Sequence, residues 1–194
     1  MSDRNGNKDS ISIALVGKGG AGVLTAGQML LAAAARCGRY GMLVPAVGPQ
    51  IRGGESAALL RLSESPVNCL DDRFDVLLGI NWQHAERFRS DIPLDENSLI
   101  VTDPSSGEII PDFITELGAD IQELEMKALA EAVDGGRPNM IALGYAARLA
   151  GIPDDALLQI VEKKIGHKGS AAVAASTVCV NLGFTRASPR WCVS

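Results

Sequence analysis

The stretch ISIALVGKGGAGVLTAG, residues 11–27, decides how this chain begins to fold. Residues 11–16 form a short, largely apolar run, which is typical of a central parallel strand buried on both faces. After the glycine-rich turn, residues 21–37 are rich in Ala, Leu and Met and contain no Pro, a composition that favours a long helix. Residues 40–44 can form a second strand. Strand, glycine turn, helix and strand in this order indicate the start of a βαβ unit.

The rest of the chain continues the same α/β pattern. Apolar runs predict strands at residues 56–63, 75–81 and 99–103, and residues 119–123 predict a more polar edge strand. Residues 82–89 predict a short helix capped by Asn81. The last third predicts three helices, which begin at Pro138, Pro153 and Ser170. The fold class expected is therefore α/β: a three-layer, Rossmann-like and mostly parallel sheet with helices on both faces and a helical C-terminal third. We expect one domain at residues 11–184, a disordered tail at 1–10 and an irregular tail at 185–194.

Composition excludes several classes of function. The chain of 194 residues has a formal net charge of −5, which argues against a nucleic-acid-binding surface. Its apolar runs are interrupted too early to span a bilayer, and residues 1–10 lack the apolar region of a secretory signal, so we expect a cytoplasmic protein with reduced thiols. The four cysteines have no spacing that matches a zinc or iron–sulfur site. Two of them, Cys37 and Cys179, lie in apolar helical stretches and are expected in the core.

The glycine turn after the first strand allows two interpretations. Gly17, Gly19 and Gly22 have the spacing of the dinucleotide-binding fingerprint, and Gly20 adds a fourth glycine. That fingerprint also needs an acidic residue near the end of the second strand, and no Asp or Glu follows Val44 there. The turn either binds a dinucleotide phosphate or lets the helix pack close to the sheet.

A second glycine cluster lies at residues 48–56. Its candidate ligand or interface residues are Gly48, Pro49, Gln50, Arg52, Gly53, Gly54 and Glu55. Because Arg52 precedes two glycines, its guanidinium has little side-chain cover and can present its donors to a carboxylate, a phosphate or a carbonyl group on another chain. It can equally close its own loop by bonding backbone carbonyls.

Two separated motifs, GKGGAGVLTAG at 17–27 and GPQIRGGESAALLR at 48–61, carry a family resemblance. In this order they resemble the γ domain of the 2-oxoacid:ferredoxin oxidoreductases that act on pyruvate, 2-oxoglutarate, 2-oxoisovalerate or indolepyruvate. The 2-oxoglutarate type is the most similar. DVLLGIN, LIVTD and NMIALGYAARLAGIP also resemble the family, so the likeness extends over residues 11–184. The chain departs from the pattern at Ser176, where the family usually has Asn, and in the tail after Phe184.

The resemblance implies a non-catalytic γ component that supports assembly and coenzyme A access during oxidative decarboxylation of a 2-oxoacid to acyl-CoA. Thiamine diphosphate, magnesium and iron–sulfur clusters are then expected on partner subunits, and this chain is expected to hold no cofactor, no metal and no catalytic residue. The expected partners are the α and β thiamine-binding components, in a homo- or hetero-oligomer, with ferredoxin as an indirect partner. In this picture the Arg52 loop lines or braces the coenzyme A approach.

Two other functions stay open on the residues alone. One is a scaffold or regulatory protein that uses the γ fold in a different complex. The other is a stand-alone dinucleotide-binding oxidoreductase built on the first glycine turn. The 2-oxoacid itself cannot be read from this chain, because in the family that it resembles the substrate pocket belongs to other components.

Overall fold

A six-stranded sheet in the order β2-β3-β1-β4-β5-β6 organises the molecule. The computed structural model describes residues 9–47, 54–83 and 85–188. The strands are β1 (Ser10–Lys18), β2 (Tyr40–Val47), β3 (Glu55–Ser63), β4 (Val76–Gly79), β5 (Leu99–Thr102) and β6 (Asp120–Glu123). The apolar runs therefore form strands where the sequence predicted them, and the polar run forms the edge strand β6.

The sheet is mixed, and most of its strands run in one direction. β1, β4, β5 and β6 are parallel neighbours, whereas β3 is antiparallel to both β1 and β2. The predicted βαβ unit is present, since β1 and β2 run the same way and are joined by a helix. However, β3 lies between these two strands. The prediction of a mostly parallel, three-layer α/β fold is thus confirmed, with one reversed strand inside it.

Helices cover both faces of the sheet. They are α1 (Val23–Arg36), α2 (Asp112–Thr115), α3 (Met126–Glu131), α4 (Pro138–Leu149), α5 (Asp154–Ile165) and α6 (Ser170–Phe184). Alternate residues of β1 face opposite ways: Ile13 and Leu15 join the larger core with α1, α4 and α5, whereas Ala14 and Val16 join the smaller core with α2. The helical C-terminal third is confirmed.

Two glycines allow α4 and α6 to cross at very short range. A Cβ atom placed on Gly144 would collide with the backbone carbonyl of Val180, and one placed on Gly183 would collide with the carbonyl of Ile141. Each glycine therefore lies against the backbone of the opposite helix. This close contact packs α4 against the last turns of α6.

Two local predictions differ in detail from the structure. Within the short helix predicted at residues 82–89, a 3-10 helix covers Ala85–Phe88, and the Asn81 side chain accepts a hydrogen bond from the Gln83 N–H. Cys37 is exposed at the C-terminal end of α1, although Cys179 is buried as expected. An apolar stretch does not reveal which of its residues lies at the exposed helix end, and this explains the error at Cys37.

Residues 1–8 and 189–194, which make up most of the two predicted tails, lie outside the described residues. The single-domain division and its boundaries stay predictions. Within the described part of the chain, no helix is both long enough and apolar enough to cross a bilayer.

Gly144→Ala should destabilise the protein strongly, because the new methyl group forces α4 and α6 apart and opens packing defects along both helices. We expect a loss of about 2–4 kcal/mol in the free energy of unfolding, measured by urea denaturation. Gly166→Ala is the control: its Cβ would meet nothing within 4 Å and its backbone is already helical, so stability should change by less than about 1 kcal/mol. Equal effects of the two substitutions would contradict this account of the crossing.

Candidate functional site

The two glycine-rich segments meet at one end of the sheet. In the pairing of β1 with β3, Gly17 lies opposite Ser56 and Lys18 lies opposite Glu55. Just beyond the strands, the Gly19 N–H donates a hydrogen bond to the Gly54 carbonyl. Residues 35 or more positions apart in the sequence therefore form one continuous surface.

The structure describes only part of the predicted interface loop. Gly54 and Glu55 are both buried. Gly48, Pro49, Gln50, Arg52 and Gly53 lie outside the described residues, so their predicted role as a ligand or interface loop stays a prediction.

Close packing accounts for two glycines of the first turn. A Cβ on Gly17 would lie 2.9 Å from Val23 in the first turn of α1. Gly22 precedes α1 with a φ of 78°, which favours glycine, and its carbonyl accepts a hydrogen bond from the Asn139 side chain at 3.1 Å. Gly20 has a φ of 85° and faces open space. Only the exposed part of the turn is therefore free to meet a ligand.

The acidic partner of a dinucleotide fingerprint is not in place. β2 contains no Asp or Glu, and β3 separates it from β1. The carboxylate nearest to the end of β1 along the sheet is that of Glu55, on β3. It is buried and accepts a hydrogen bond from Arg87 Nη1 at 2.7 Å. A ribose-binding carboxylate in the usual position is thus absent from the described strands.

A cleft of about 590 Å³ opens beside the glycine turn. Its walls include the first residues of α1, α4 and α6, and none of these three helices has a side-chain cap or an acidic residue in its first turn. Arg137 and Lys168 add two cationic side chains, while Asp134 is the acid in the lining. Unpaired N–H groups at helix N-termini and two cations favour an anion.

The last third of the chain supplies most of this cleft, and the sequence prediction missed it. Buried Asn139 and Ser176 line it together with the two cations. The sequence contains one feature that could have indicated the cleft. The helix α5 begins with Asp154 and Asp155, whereas α1, α4 and α6 begin without acidic residues. Only the tertiary structure shows that the N-termini of α1, α4 and α6, which lack acidic residues, lie around the same cleft.

Hydrogen bonds also fasten the segments that follow β4 and β5. The Trp82 indole N–H donates to the Thr102 hydroxyl at 2.9 Å, and Glu108 accepts from the Trp82 backbone and the Asn81 side chain. No group of three or more His, Cys, Asp or Glu among the described residues could hold a metal ion.

Cys179 is a buried thiol on α6, a helix that also contributes residues to the cleft. It lies three residues after Ser176 on α6 and is fully buried. Burial raises the pKa of its thiol, and a hydrogen bond with the Arg137 backbone opposes this effect to a smaller extent. The thiol is therefore mainly protonated near neutral pH.

The chain belongs to the pyruvate ferredoxin/flavodoxin oxidoreductase family, whose model matches residues 12–186. It is 30% identical over 177 residues to the pyruvate synthase subunit PorC of Methanothermobacter thermautotrophicus, a match covering 84% of this chain and 91% of that subunit. It is 25% identical to the 2-oxoglutarate synthase subunit KorC of Archaeoglobus fulgidus, covering 93% and 91% of the two chains.

A solved structure extends the comparison to a larger enzyme. The 2-oxoglutarate:ferredoxin oxidoreductase of Magnetococcus marinus, with 2-oxoglutarate, coenzyme A and succinyl-CoA bound, matches with a TM-score of 0.82 and 26% identity. The match covers 96% of this chain but 33% of that one. The resemblance inferred from the two glycine motifs is thereby confirmed.

Cys179 should be protected from alkylation, whereas exposed Cys37 should react readily. Because its pKa is raised, less thiolate is present at any given pH, and burial also blocks the reagent. In the folded protein at pH 7.5, iodoacetamide should modify Cys179 at least about tenfold more slowly than Cys37, because the buried sulfur reacts only after local opening of the structure. Peptide mass spectrometry measures both rates. Equal rates in the folded protein, matching those in urea, would contradict the described packing of α6.

Proposed function

We propose that this chain is the γ component of a thiamine-diphosphate-dependent 2-oxoacid:ferredoxin oxidoreductase, to which it supplies docking and binding surface rather than reacting groups. Family membership over residues 12–186 supports this proposal, as do full-length relatives named as subunits of pyruvate and 2-oxoglutarate synthases. The α and β components would hold thiamine diphosphate, magnesium and iron–sulfur clusters, which supply decarboxylation and electron transfer to ferredoxin. The 2-oxoacid remains open.

One structural observation carries the role in coenzyme A access: the bond between Gly19 and Gly54 joins both family motifs at the rim of the cationic cleft. Coenzyme A carries a pyrophosphate and a 3′-phosphate, and it is bound in the related M. marinus enzyme. We propose that the cleft receives one of these phosphate groups. The N-termini of α1, α4 and α6, with Arg137 and Lys168, provide suitable donors.

Chain geometry brings the Arg52 loop into the same proposal. Arg52 is two residues before Gly54, so their Cα atoms are at most about 7 Å apart. Gly54 is bonded to Gly19, and the next residue, Gly20, lines the cleft. We therefore propose that Arg52 braces the entrance through which coenzyme A approaches the thiamine-binding components.

We propose a cytoplasmic location for the complex. Among the described residues, Cys37, Cys69 and Cys179 are free thiols. Unpaired exposed cysteines suit a reducing compartment.

Arg137→Ala and Lys168→Ala should each raise the KM for coenzyme A in the reconstituted complex. Loss of one charge-assisted contact to phosphate is worth about 1.5 kcal/mol, which corresponds to roughly a tenfold increase. The kcat should stay within about twofold, because neither side chain is placed at the reacting atoms. Steady-state kinetics at saturating 2-oxoacid measures both constants.

Arg36→Ala is the matched control for the cleft. Arg36 is an exposed cation at the opposite end of α1, about 20 Å from the helix N-terminus. It should leave the KM unchanged. If all three variants behave alike, the cleft is not the phosphate site, although the chain could still be the γ component.

Arg52→Ala tests the interface loop. If Arg52 braces the coenzyme A entrance, the variant should raise the KM for coenzyme A by about tenfold, or weaken assembly with the thiamine-binding components to a similar extent. Kinetics and analytical ultracentrifugation on the same preparation separate the two effects. Unchanged coenzyme A dependence together with unchanged assembly would remove Arg52 from both roles.

A further inference from the structure

Arg87 is an exposed arginine that is held by a buried carboxylate. It lies in the 3-10 turn after β4, and its Nη1 donates to Glu55 Oε1 at 2.7 Å. The Glu55 side chain is only 3% exposed, whereas that of Arg87 is 51% exposed. The guanidinium therefore has one edge anchored inside the protein and much of its remaining surface in solvent.

This arrangement pre-orders the arginine. An uncompensated buried carboxylate is very unfavourable, and Arg87 is one of the groups that compensate Glu55. Arg87 bonds Glu55 through Nη1, which leaves Nη2 and Nε as further donors on the planar fork. A side chain that is already fixed loses less conformational entropy when a second group binds to it.

The pair lies at the carboxyl end of β1, next to the second glycine motif. Glu55 is the first residue of β3 and lies opposite Lys18 in the sheet. After β1 the chain continues to α1 on one face of the sheet. After β4 it continues to the Ala85–Phe88 turn on the other face. Ligands and partners are commonly received at such a topological switch point.

The surface around Arg87 differs chemically from the cleft. The lining of the cleft includes neither Lys18 nor Arg87. Because Arg87 Nη1 is held by Glu55, the donors left on the guanidinium are Nη2 and Nε. These two planar donors match the two oxygens of a single carboxylate.

We infer that Arg87 is an interface anchor for an acidic side chain of the thiamine-binding component, and that Glu55 is the positioning residue for Arg87. This inference rests on the proposed function as a γ component. Arginine is among the residue types enriched at the sites that dominate the binding energy of protein interfaces. Glu55, one of the motif residues predicted for an interface, then acts through Arg87 rather than by contacting the partner itself.

The test uses the full chain titrated against its purified thiamine-binding component, with the Kd measured by biolayer interferometry at 50, 150 and 500 mM NaCl. Arg87→Ala should raise the Kd about tenfold at 50 mM NaCl and flatten its salt dependence. Arg87→Lys should weaken binding almost as much, because an ammonium keeps the charge but cannot bond two carboxylates with a fork. Glu55→Gln should weaken binding less than Arg87→Ala, since the anchor remains but is no longer held.

Arg89→Ala is the matched control. Arg89 is an exposed arginine two residues away whose guanidinium lies over the Phe113 ring, 5.7 Å from its centre. It should leave the Kd within twofold of the wild-type value. Thermal unfolding of each free variant shows whether a loss of binding is merely a loss of folding, and Arg87→Lys, which can still pair with Glu55, keeps the test valid if Arg87→Ala unfolds.

Three results would overturn the inference. They are equal Kd values for Arg87→Ala and Arg89→Ala, wild-type binding by Arg87→Lys, or an increased KM for coenzyme A with no change in Kd, which would assign Arg87 to the nucleotide. If the wild-type chain binds no thiamine-binding component, the proposed function itself fails and the inference falls with it. That outcome is distinct, because it appears before any substitution is made.

Discussion

Antiparallel pairing of β3 with β1 brings the second glycine segment beside the first. The register extends from Ser10 opposite Ser63 to Lys18 opposite Glu55, so the end of one strand meets the beginning of the other. Both strands are buried along nearly their whole length, and a shift by one residue would turn each apolar side chain to the opposite face. The bond between Gly19 and Gly54 and the Glu55–Arg87 ion pair both depend on this register.

The same reversed strand separates this fold from a dinucleotide-binding one. In the latter, the strand after the first helix lies next to the first strand and carries a carboxylate to the ribose. Here β3 occupies that place, and β2 is moved to the sheet edge. The carboxylate beside the end of β1 belongs to Glu55, which is already paired with Arg87. A glycine turn with familiar spacing therefore takes part in a different surface, where close packing at Gly17 and Gly22 explains much of its composition.

The cationic cleft depends on helix packing rather than on any local motif. Gly144 and Gly183 let α4 and α6 approach until their backbones are in contact, and the first residues of both helices line the cleft together with those of α1. Helix N-termini without caps or acidic residues leave their N–H groups available to an anion. The cleft proposed for a phosphate group and the Arg87 surface proposed for a protein carboxylate are two distinct surfaces, since the lining of the cleft does not include Arg87.

The sequence by itself determined the strands, the long helices and the family, because continuous apolar runs, glycine turns and helix-start prolines act over a few neighbouring residues. It also predicted that Glu55 belongs to a ligand or interface loop. It could not determine that Glu55 is buried and paired with Arg87, 32 residues away, or that Arg137 and Lys168 meet the first glycine turn. Nor did it show that Cys37 is exposed while Cys179 is buried. Those facts depend on strand order and helix crossing, which arise from contacts between distant segments that no local pattern records.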